Sequence, residues 1–125
     1  MKKMICMALC LSVLVTLFIG ISVASAGSVT PNYSRSGITC KASVTAEKRA
    51  NQYAYAEVSM KIVFARGVGL SNEGQTYTRS DKSSAWADKV NQSRTVTARV
   101  SCDNPRDEVS SKSLNGKTSW KNATD

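Results

Sequence analysis

The sequence predicts an all-β fold, a small antiparallel β-sandwich, on three observations. Apolar and polar residues alternate with period two through most of residues 37–104, the pattern of strands with one buried face. Little of that stretch carries the 3.6-residue apolar period of an amphipathic helix. Two cysteines, Cys40 and Cys102, sit far apart on the apolar phases of an early and a late strand.

The first 26 residues read as an export signal rather than as part of the fold. Lys2 and Lys3 form a positive start, residues 4–23 are uncharged and mostly apolar, and Ala24-Ser25-Ala26 supplies small residues ahead of Gly27. The apolar run is also long enough to span a bilayer. Gly20, Ser22 and Ser25 interrupt it just before the A-x-A site, which favours cleavage after Ala26 over an uncleaved anchor. The short Met-Lys-Lys start is of bacterial style. Export predicts an extracellular protein in which a thiol pair is oxidised. Cys6 and Cys10 leave with the signal, so Cys40 and Cys102 are the expected inter-strand disulfide, placed to bridge the two sheets. Closing a loop of some sixty residues adds about 4 kcal/mol on the chain-entropy model.

Residues 27–36 read as a flexible lead-in, 37–104 as the sandwich core, and 105–125 as a polar tail or an exposed hairpin. In the first core strand Ile38, Cys40, Ala42, Val44 and Ala46 share the apolar face. A polar turn at 47–52 follows. The longest strand then places Ala54, Ala56, Val58, Met60, Ile62 and Phe64 inward and Tyr53, Tyr55, Glu57, Ser59 and Lys61 outward. Residues 65–74, with three glycines, form the best loop candidate. A short strand is expected at 75–79, and a strand in preference to a helical turn at 83–90. The last core strand alternates Val96, Ala98, Val100 and Cys102 against polar neighbours, and Asn104-Pro105 ends it. Asn115-Gly116 is a strong two-residue hairpin signal. Five to seven short strands with one bridge suggest an immunoglobulin-like topology; a small barrel is the rival.

Composition narrows the function by exclusion. The chain has no histidine, which removes the Ser-His and Cys-His machinery and the commonest neutral-pH base. With the cysteines paired, no thiolate nucleophile or thiolate metal site is left. Asp103, Asp107 and Glu108 cluster around Pro105, but Arg106 among them argues for a solvated turn rather than a cation site. Neither an enzyme nor a cofactor is expected.

Without Lys2 and Lys3, 15 basic residues face 9 acidic ones, a net charge of +6. The excess is scattered, with Lys48-Arg49 as one adjacent pair, so no nucleic-acid patch is expected. Anionic envelopes, glycans and protein surfaces are the candidate partners. Tyr53 and Tyr55 point the same way from one strand and make a platform for stacking, with Lys61 extending the row. Trp86 is expected in the core and Trp120 exposed.

The leading expectation is a secreted, non-catalytic domain that binds a cell-surface component or extracellular macromolecule through Tyr53, Tyr55 and Lys61. A secreted antagonist such as a bacteriocin or toxin is the alternative. An inhibitor of an extracellular enzyme, presenting Arg66 or Leu70 from the glycine-rich loop, is the third.

Overall fold

The computed structural model describes residues 26–66 and 74–124. Among these the protein is all-β, with two antiparallel sheets and no helix. The strands are β1 (Ala26–Val29), β2 (Asn32–Ser36), β3 (Thr39–Ala46), β4 (Gln52–Arg66), β5 (Gln75–Trp86), β6 (Arg94–Ser101) and β7 (Glu108–Asn122). A four-stranded sheet runs β1-β7-β4-β5 and a three-stranded sheet runs β2-β3-β6. Residues 1–25 of the expected export signal and the glycine-rich residues 67–73 lie outside the described residues.

The core follows the period-two pattern closely. Every even residue of β4 from Ala54 to Phe64 is buried, as are Cys40, Ala42, Val44 and Ala46 of β3 and Val96, Ala98 and Val100 of β6. These residues of both sheets form one apolar cluster, so each sheet buries one face against the other, as the alternation requires. At one margin β5 and β6 meet through a side chain, where Asp81 Oδ2 accepts the Arg99 N–H at 2.9 Å. That bond occupies a donor on an edge strand, where unpaired backbone invites intermolecular pairing.

Several expectations are corrected. The lead-in at 27–36 is two strands: residues 26–29 pair with 116–119 of β7, and β2 forms a hairpin with β3 around Gly37, whose φ is 59°. The tail is neither a hairpin nor peripheral. Glu108–Asn122 is one continuous strand between β1 and β4, pairing with β4 from Gln52↔Asn122 to Ala65↔Glu108 with a bulge at Val63/Phe64. Asn115-Gly116 passes straight through it. Gly116 serves close packing instead: a Cβ there would lie 2.7 Å from both the Val29 carbonyl oxygen and Val44 Cγ2. The stretches 75–79 and 83–90 belong largely to one strand, β5, which ends at Trp86.

The immunoglobulin-like order is also replaced. That fold pairs its first two strands in one sheet and its third, sixth and seventh in the other, whereas here the seventh strand joins the first and the fourth. Length explains the choice, because β4 and β7 both span 15 residues and match almost end to end.

The cysteines sit within one sheet rather than across two. Cys40 lies opposite Val100, and Cys102 follows two residues later with its N–H bonded to the Ile38 carbonyl at 2.9 Å. They are thus diagonal neighbours on adjacent strands of one sheet. Both are buried, and no bond joins them in the structure. The Tyr33 hydroxyl lies 3.3 Å from Cys40 Sγ, and Arg35 Nη2 lies 3.3 Å from Cys102 Sγ. Burial, reinforced by the hydrogen bond to Cys40, pushes the Tyr33 phenol up to about 12.

Candidate binding face and an ionic clamp

Odd-numbered residues of β4 point away from the core, so Tyr53 and Tyr55 emerge on the outer face of the four-stranded sheet. Strand register then decides their company. Tyr55 lies opposite Trp86 of β5 on one side and Ser119 of β7 on the other; Tyr53 lies opposite Lys121. The Tyr55 and Trp86 rings are 4.8 Å apart between centroids and tilted by 47°, within the range of favourable aromatic pairs. The Lys121 ammonium stands 4.5 Å from the Trp86 ring centroid and 5.6 Å from that of Tyr53, so one cation ties the two together. Trp86 remains 38% exposed, which leaves aromatic surface open to solvent.

Polar neighbours hold this group in place. The Tyr55 hydroxyl donates to Glu57 Oε1 at 3.1 Å, and Lys82 pairs with the same oxygen at 3.4 Å. Burial pulls the Glu57 carboxyl upward, but the hydrogen bonds from Tyr55 and Lys82 outweigh it and leave the group below its ordinary range. Beside Tyr55 lies an open hollow of about 300 Å³, lined by Gly27, Ser28, Lys117, Thr118 and Ser119 as well as Tyr55. Its floor is β7 and its far wall is β1. This is the lower end of the size range of small-ligand pockets.

Lys61 does not join this group. It faces outward opposite Ser80 and Ser113, six residues along β4 from Tyr55, or about 20 Å at strand rise. Lys121 supplies the cation instead.

The two tryptophans exchange their expected places. Trp86 is on the outer face, while Trp120 is buried opposite Ala54, its Nε1–H donating to the Glu47 carbonyl at 2.7 Å and the Arg49 guanidinium 3.4 Å above its ring. Strand phase carries both placements. Tyr77, Ala85 and Ala87 share the inward phase of their segment and Trp86 the opposite one; in β7 Trp120 shares its phase with Leu114.

A second polar group lies at the opposite end of β4, centred on the buried Asp107. Asp107, almost fully buried, accepts the Tyr77 hydroxyl at 2.5 Å, Arg66 Nε at 3.3 Å and the Asn104 N–H at 3.2 Å. Asp103 takes Arg66 Nη2 at 2.9 Å and Arg79 Nη2 at 3.2 Å, and its own N–H donates to the Tyr77 hydroxyl oxygen at 2.8 Å. The Tyr77 hydroxyl hydrogen bond first, and the Arg66 guanidinium after it, hold Asp107 below the ordinary carboxylate range against the opposing pull of burial. Burial, together with the same bond, raises the Tyr77 phenol.

The turn at 102–107 is solvated at Asp103, Pro105 and Arg106, as the sequence suggests, but its buried Asp107 also makes it a clamp between β6 and the β4–β5 pair. Its carboxylates are committed to arginines, and among the described residues no group of acids, cysteines or histidines could hold a metal. Arg66, a candidate inhibitory bait, is committed to the same clamp, and Leu70 lies outside the described residues. No helix among the described residues is long and apolar enough to cross a membrane. No protein-family model matches the chain, and no curated protein or solved structure is detectably similar to it.

Proposed function

We propose that the protein is a secreted, non-catalytic β-sandwich domain that binds extracellular glycan through the outer face of its four-stranded sheet. The observation that carries the reading is the Tyr53, Tyr55 and Trp86 cluster, cemented by Lys121 and bordered by the hollow on β7. Sugar rings present apolar C–H faces ringed by hydroxyls. Aromatic faces take the former, and Lys117, Ser119 and Ser28 along the hollow offer partners to the latter. The expected scissile bond after Ala26 suits this reading, because cleavage leaves residues 27–29 to pair with 116–118 of β7.

The test uses the mature domain and insoluble peptidoglycan and chitin as probes in a sedimentation assay. Replacing both Tyr55 and Trp86 with alanine removes the stacked pair and is expected to weaken binding roughly tenfold or more. Both side chains lie outside the core, so the melting temperature should change little. Full binding by the double variant would sink the site. Failure of the unaltered domain to bind either polymer would sink the glycan reading.

Oxidation of Cys40 and Cys102 to a disulfide belongs to the same proposal, supported by the burial of both on neighbouring strands of one sheet and by the expected export signal. Intact mass of the secreted protein should begin at Gly27 and be lighter by two hydrogen atoms than the reduced form. Two alkylatable thiols before reduction would rule the cross-link out.

A further inference from the structure

The three-stranded sheet has an unusual charge distribution. Its strands β2, β3 and β6 contain Arg35, Lys41, Arg94 and Arg99 but no aspartate or glutamate. Arg35 is turned inward and occupied, donating to the Gly37 and Pro105 carbonyls and lying against Cys102 Sγ. Lys41 and Arg99 are different. They stand directly opposite one another on the outer face, and neither takes part in an ion pair among the described residues. Asp81 of β5 accepts the backbone N–H of Arg99.

Like charges directly opposite in an antiparallel pair are destabilising. A broken local rule of this kind, with no ion pair to either side chain, is expected at functional or strained positions. The surroundings name the compensation. Around the two cations lies a shallow hollow of about 200 Å³, bordered by Asn32, Ser34, Ser43 and Thr97. These residues contribute an amide and three hydroxyls and no negative charge. An arginine fork, an ammonium and several hydroxyl donors together match the oxygens of a compact dianion.

We propose that Lys41 and Arg99 form a seat for a phosphate monoester on the outer face of the three-stranded sheet, with Ser34, Ser43 and Thr97 as hydroxyl donors. The seat lies on the other side of the molecule from the aromatic face and does not depend on it. Bound dianion replaces the repulsion between the two cations with two attractions, so occupancy should also stabilise the fold.

The test is a titration of the ¹⁵N-labelled mature domain with inorganic phosphate at constant ionic strength, followed by amide chemical shifts. Saturable shifts are expected at Lys41, Ser43, Thr97 and Arg99, with little change at Tyr55 and Trp86. The variant carrying K41Q and R99Q should lose them. It should also melt at or above the temperature of the unaltered protein, because the repulsion is gone; a retained amide spectrum shows that it folds. W86A should keep the phosphate shifts, which separates this seat from the glycan site. Glucose 6-phosphate and vesicles containing phosphatidic acid then distinguish a sugar phosphate from a lipid headgroup as the carrier. Shifts spread evenly over basic residues, or unchanged in the double variant, would overturn the proposal, as would silence towards phosphate and both carriers.

Discussion

Replacing Gly116 with alanine is expected to lower the melting temperature of the domain by about 10–20 °C, the consequence of overpacking that costs about 2–3 kcal/mol. The added methyl would meet the Val29 carbonyl oxygen and Val44 Cγ2 at 2.7 Å. One of these is backbone and the other a β-branched side chain in the core, so neither can step aside cheaply. Asn115→Ala, at an exposed position, should be nearly silent. The pair separates close packing from turn formation, because a two-residue turn would need both residues. Thermal melts followed by circular dichroism decide it, and an unperturbed Gly116→Ala would contradict the packing of β7 against β1 and β3.

Asp107→Ala is expected to be at least as damaging. It removes the buried acceptor shared by Arg66 Nε, the Tyr77 hydroxyl and the Asn104 N–H, leaving Arg66 and Tyr77 only their contacts with Asp103, and frees the turn at 102–107. Removing one partner of a buried, hydrogen-bonded ion pair is among the costliest single changes a fold can suffer. The pH dependence has a definite sign. The folded form lowers the affinity of Asp107 for its proton, so the stabilisation is complete above the unfolded carboxylate pKa near 4. It fades as pH falls through that value and below. Asp107→Asn should therefore be less stable than the unaltered protein at neutral pH but lose less further stability between about pH 5 and 3. Parallel losses on acidification would show that this carboxylate does not titrate with folding.

The inward faces of β3, β4 and β6 were legible because each is a clean run of alternation in which the inward side chains are nearly all apolar. β7 was not. Its inward residues include Gly116 and Thr118, both buried, so the pattern lacks the contrast that marks a strand. Its Asn-Gly pair mimics a turn that only tertiary packing forbids. β1 and β2 are short and polar, and they are strands because they have long partners. In the candidate site, Tyr53 and Tyr55 could be placed on an outward face from spacing alone. Trp86 and Lys121 could not be brought to them without the register of three strands, and Lys61 shares their phase but not their end of β4. The ionic clamp joins residues from 66 to 107, a long-range relation that local patterning does not encode.

The central position of β7 also governs how the molecule comes into being. Ala26 lies opposite Ser119, so the pairing that closes the four-stranded sheet joins residues nearly a whole domain apart in sequence. Such a topology carries high contact order and folds slowly. A chain made from its N-terminus holds β1 through β6 before residues 108–122 exist, and in that interval β4 exposes a long unpaired edge to neighbouring chains. The same strand delivers Lys117, Ser119 and Lys121 to the aromatic face. An unfinished chain therefore lacks the proposed glycan site, and binding competence becomes a report that synthesis and folding are complete.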